Sequence, residues 1–65
     1  MDSKTVFELR NEAKDLSGIE KLNKLNNALN ISRRLYLEDS SDGWIQKAFA
    51  WILIDLCKYY IADKN

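Results

Sequence analysis

Sixty-five residues without a single proline, and with glycine only at positions 18 and 43, leave the chain few places to break. Proline and glycine are the strongest local punctuation of a backbone, so long helices joined by short turns are the expected outcome. The two glycines divide the chain into three segments, and each carries helical periodicity. The spacing predicts helices over about 4–16, 19–37 and 43–62. No segment alternates in the period-two manner of a half-buried strand, and none is of low complexity.

The first helix is expected to be capped by Ser3 and to end before Gly18 in the C′ role, with Val6, Leu9, Ala13 and Leu16 on one stripe. Glu8–Glu12 and Arg10–Lys14 are like-charge neighbours one turn apart, which makes this the weakest helix of the three. The second divides more cleanly. Leu22, Leu25, Ala28, Leu29, Ile31, Ser32, Leu35 and Tyr36 share about half of its circumference, while Asn23, Asn26, Asn27, Asn30, Arg33 and Arg34 share the other half. So wide an apolar arc suits a middle helix with a neighbour on each side. The stretch 38–43 then closes it, and Ser41 or Asp42 is placed to cap the third helix.

The third helix has more apolar surface than a small bundle can use. At roughly 100° per residue, Ile45, Ala48, Phe49, Ile52, Leu53, Leu56, Tyr59 and Tyr60 form its core face. Outside that face lies a second line, Trp44, Lys47, Trp51, Ile54, Asp55 and Lys58, with Ile61 beyond it. Surplus aromatic surface of this kind marks a contact with a partner. Lys47 and Trp51, four residues apart, are expected to form a cation–π pair. The competing account is that one or both Trp fold over the bundle edge or against the first helix. Trp51 is the better placed to be covered and Trp44 to be exposed.

Function classes can be narrowed by what the chain lacks. It has no histidine, the commonest general base and metal ligand, and no glycine-rich phosphate loop. Cys57, without an imidazole to activate it, reads as a packing thiol on the shoulder of the third helix. The acidic residues Asp39, Asp42, Asp55 and Asp63 are too scattered to hold a hard cation. No enzymatic activity, no cofactor and no metal site are therefore expected. Ten acidic and ten basic residues cancel, which removes any general pull toward nucleic acid or anionic lipid. A small nucleic-acid-binding regulator remains an alternative, using Asn23, Asn26, Asn30, Arg33 and Arg34 of the second helix. The shortage of basic residues and the acidic second turn weigh against it. The apolar run 48–57 is too short to span a bilayer and is interrupted by Asp55. With one cysteine, no internal disulfide and no apolar leader at the N-terminus, a soluble protein of the reducing cytoplasm is expected.

The stretch 28–53 resembles the junction between two tetratricopeptide repeats, the second helix of one followed by the first helix of the next. Ala28 stands at that repeat's small packing position and Leu35 at its later small apolar position. Asp39-Ser40 stands where the family commonly writes Asp-Pro, and Phe49-Ala50 matches its large-then-small pair, with Leu53 after it. Gln46 occupies the position where the family favours Trp, and the first helix does not align in register. The resemblance implies an all-α, three-helix antiparallel array, a right-handed stack with a partner-binding concave side. The groove positions it implies are Trp44, Lys47, Trp51, Ile54 and Asp55, most of the stripe already set apart by the helical wheel. The expected function is a non-enzymatic protein–protein interaction module in a single domain, 1–65, whether a whole protein or a piece of a longer one. It would present the stripe to a peptide, a neighbouring domain of a parent chain or a second copy. A structural homodimer subunit is a further alternative.

Overall fold

The computed structural model describes residues 3–63. It consists of three helices, α1 (Ser3–Lys14), α2 (Gly18–Glu38) and α3 (Gly43–Asp63), with no strand among the described residues. Turns of three and four residues join them, so successive helices run antiparallel. The molecule measures 37 × 18 × 14 Å, long enough for the two 21-residue helices to lie along its axis at about 1.5 Å per residue. The fold is an all-α three-helix array with α2 in the middle.

Each turn has a local cause. At the end of α1 the helix tightens: the Asp15 N–H donates to the Glu12 carbonyl at 3.2 Å and the Leu16 N–H to the Ala13 carbonyl at 3.1 Å. These i→i+3 bonds satisfy carbonyls that have no intrahelical partner. Leu16 therefore belongs to the turn and not to the helix. Gly18 has φ +61°, the left-handed conformation that glycine adopts at little cost. It lies at the start of α2, where it swings the chain into the new helix, instead of closing α1 as a C′ residue. Ser17 holds the cap position of α2 without a side-chain capping bond. The expected Ser3 cap is the first helical residue of α1, and the position before it lies outside the described residues.

The second turn is more heavily bonded. Asp42 Oδ1 accepts from the backbone N–H of Trp44 at 2.9 Å and of Ile45 at 3.4 Å, the N-cap arrangement that satisfies first-turn donors. Gln46 Nε2 reaches back to the Ser40 carbonyl at 2.7 Å, and Ser41 Oγ donates to Asp39 Oδ1 at 2.8 Å. Of the two residues placed to cap α3, Asp42 does so and Ser41 braces the turn.

The core is a thin line of Val6, Ala13, Leu25, Ala28, Ala48, Ile52 and Leu56, with Phe7, Leu9, Leu22, Leu29, Ile31, Leu35 and Tyr59 partly buried against it. Alanines at the centre let the helix backbones approach closely, and Leu25, Ile52 and Val6 fill the space between them. Ser32 is fully buried among them and its hydroxyl donates to the Leu29 carbonyl at 2.9 Å. That bond removes the penalty for an unsatisfied polar group. Phe7, outside the expected stripe of α1, joins the core because α1 is short and bordered by both other helices.

Of the expected core positions on α3, Phe49 and Tyr59 are half-buried and two others lie open. Leu53 and Tyr60 are exposed, as is Tyr36 on α2. Tyr36 instead sets its ring edge against Phe49, with centroids 5.6 Å apart, and Tyr59 packs edge-to-face on Tyr60 at 5.5 Å. The arc of α3 that α1 and α2 can cover is narrower than its apolar arc. Among the described residues no fourth element closes the rest.

Candidate interaction surface

The six stripe residues lie along one flank of α3, and tertiary structure divides them into two groups. At the C-terminal part of the stripe, α1 intervenes. Arg10 points across from α1, its Nε 2.5 Å from Asp55 Oδ2 and a terminal nitrogen 3.5 Å from Asp55 Oδ1. Both side chains are less than one-fifth exposed. The same guanidinium lies over the Trp51 ring, 4.8 Å from its centroid. Asp55, Trp51 and Arg10 thus form one cluster that ties α1 to α3. Planar Arg can bond a carboxylate through its fork and stack on an aromatic face at once, which Lys cannot.

The N-terminal part of the stripe remains outward. Trp44 is 64% exposed, and Lys47 Nζ sits 5.0 Å from its ring centroid. The expected Lys47–Trp51 pair is therefore replaced by Lys47–Trp44, three residues back. Helical side chains lean toward the N-terminus, which brings Lys47 over the preceding turn, while Arg10 takes the Trp51 ring. Ile54 and Trp51 are also exposed, at 41% and 43%, and Lys58 is exposed at the far end. Trp51 is both a clasp to α1 and part of the open face.

Two concave regions adjoin the helices. One, of about 520 Å³, opens where the α1–α2 turn meets the C-terminal half of α3. Among the described residues, Arg10, Lys14, Lys21 and Lys58 bring four cations to it against the carboxylate of Asp55, beside Leu25 and Tyr59. The other, of about 440 Å³, runs between α1 and α2 and is lined by Asn27, Asn30 and Arg34 with Leu9, Ile31 and Leu35. The polar residues proposed for nucleic-acid contact, Asn23, Asn26, Asn30, Arg33 and Arg34, are all exposed, and Asn30 and Arg34 border this second groove.

Two features were not legible in the sequence. Arg10 reads there only as a like-charge neighbour of Lys14; nothing local signals a partner 45 residues away. Glu12 similarly reads as repelling Glu8, yet Lys24 Nζ of α2 meets its carboxylate at 3.0 Å. Cys57, expected to pack, is a free, exposed thiol, because its shoulder of α3 faces away from both neighbours. Among the described residues no three of His, Cys, Asp and Glu come together as metal ligands, and no helix is long and apolar enough to cross a membrane. No family model, curated protein or solved structure matches the chain.

Proposed function

We propose that the protein is a non-enzymatic interaction module of the reducing cytoplasm that binds a protein or peptide along the flank of α3. The observation that carries this reading is Trp44, 64% exposed in the first turn of a capped helix. A large rigid side chain left in water on an ordered element is a favoured interface anchor, since little entropy is lost when a partner covers it. Lys47 beside it and Lys58 at the far end of the flank serve as rim charges that orient a partner and select against others. Ile54 and the open part of Trp51 extend the apolar area. Asp55 acts from beneath, holding Arg10 and through it the Trp51 ring. The free thiol of Cys57 fits a reducing compartment.

The tetratricopeptide-like, right-handed arrangement is part of this proposal and is supported by the residues of stretch 28–53. An array of that kind leaves helix faces for further repeats or a ligand to cover, which agrees with the exposed Leu53, Ile54, Tyr60 and Ile61.

The test is selection of binders from a displayed random-peptide library on the wild-type protein, followed by re-screening on Trp44→Ala. Peptides that lose binding to Trp44→Ala, with thermal stability within about 1 kcal/mol of wild type, support the reading. Selected peptides that bind both proteins equally, or a variant that no longer folds, would rule out Trp44 as the anchor.

A further inference from the structure

The outer side of α3, opposite the buried Ile52, alternates small and large residues at a regular interval. Ala50, Ile54, Cys57 and Ile61 follow one another at steps of four, three and four, and all four are exposed. This is the spacing of a helix–helix seam, where apolar residues recur every 3.5 positions on average. None of the four is charged. Trp51 and Lys58 stand along one edge of the strip, and Leu53 and Tyr60 along the other, all exposed. The core of the bundle uses none of this line.

We propose that the strip docks a second copy of the chain, α3 against α3, antiparallel about a two-fold axis crossing between Ile54 and Cys57. The proposal rests on the reading of α3 as a partner-binding helix and names the occupant of its outer face. A two-fold contact must be self-complementary, and the order small, large, small, large meets that condition in one direction only. Antiparallel pairing sets Ala50 opposite Ile61 and Ile54 opposite Cys57, so each layer joins one small and one large side chain. Parallel pairing would set Ala50 on Ala50, leaving a gap. The edges agree. In the antiparallel register Lys58 of one copy comes beside Trp51 of the other, a cation–π arrangement, and Leu53 comes beside Tyr60. Parallel pairing instead faces Leu53 with a lysine.

One 21-residue helix with its two edges is a smaller contact than the standard interface of about 800 Å² per partner. The dimer is therefore weak and reversible, with the Trp44 end of the flank left outside it.

Sedimentation equilibrium of the whole chain, under reducing conditions from low micromolar to millimolar concentration, tests this. The wild type is expected to follow a monomer–dimer equilibrium. Ile61→Lys is expected to lose the dimer while keeping its helical circular dichroism and its melting curve, since Ile61 is 66% exposed. Ala50→Leu is the sharper variant. It adds apolar surface, so a merely sticky face would associate more tightly. In the proposed register it sets two large side chains against each other and weakens association about tenfold. A monomer at every concentration, a dimer that survives Ile61→Lys, or one strengthened by Ala50→Leu would each overturn the proposal. Trp44→Ala separates it from the peptide-binding reading: the dimer is expected to persist where peptide binding is lost. Loss of the dimer in Trp44→Ala would overturn the assigned register.

Discussion

Arg10 of α1 binds Asp55 of α3 across 45 residues of chain, its Nε 2.5 Å from the carboxylate, while its guanidinium covers the Trp51 ring at 4.8 Å. The pair is neither surface nor core, with side chains 19% and 17% exposed. α1 is the shortest helix, and this cluster is its principal polar tie to α3. A double-mutant cycle of Arg10→Ala and Asp55→Ala should therefore give a coupling of about 1–2 kcal/mol. That lies between the up to about 1 kcal/mol of exposed pairs and the 3–5 kcal/mol lost on breaking buried ones. Denaturant melts of the four proteins measure it. A coupling below about 0.3 kcal/mol would mean that the pair is effectively solvated.

Ile52 and Ser32 are both fully buried yet should differ widely in the cost of truncation. Ile52→Ala leaves a cavity where all three helices meet and should cost about 2–5 kcal/mol. A 65-residue domain holds only about 3–10 kcal/mol in total, so much of the chain should be unfolded. Ser32→Ala removes a hydroxyl that, among the described residues, bonds to a carbonyl of its own helix, and should lie within about 0.5 kcal/mol of wild type. Ser32→Leu overfills the same space and should cost about 1–3 kcal/mol. Thermal melts rank the three; a damaging Ser32→Ala would indicate a partner for the hydroxyl beyond Leu29.

Asp42 caps α3 through two backbone N–H groups. Asp42→Ala should lose about 1 kcal/mol, and hydrogen exchange at Trp44 and Ile45 should quicken before that at Ile52. Ser41→Ala, which removes only a brace within the turn, should change stability by no more than about 0.5 kcal/mol.

The two glycines should also separate. Gly18 sits at φ +61° with open space around it, so Gly18→Ala is resisted by the backbone alone and should cost about 1–2 kcal/mol. Gly43 has an ordinary backbone and equally open surroundings. Gly43→Ala should therefore stabilise the protein by about 0.4–1 kcal/mol, by restricting the unfolded chain at a helix start. Equal effects at the two positions would contradict the left-handed assignment of Gly18.

The sequence by itself determined the three helices, their order and the second turn, because the signals for these are local. Breaker residues, a 3.6-residue period and an Asp before the helix act within a few positions of the backbone they govern. It also marked α3 as carrying apolar surface in excess, with Trp44 outside the core. What only the tertiary structure decided was which of those residues remain free. Arg10 could not be known to reach Asp55 and Trp51, nor Lys24 to reach Glu12, since those contacts depend on the crossing of helices far apart in the chain. Lys47 lies over Trp44 while Arg10 of α1 lies over Trp51, a partition that spacing along α3 alone did not give. Leu53 and Tyr60 fall on the apolar arc of an isolated helix, but burial requires a neighbour. With two other helices to cover it, α3 can bury only the side of that arc turned toward them.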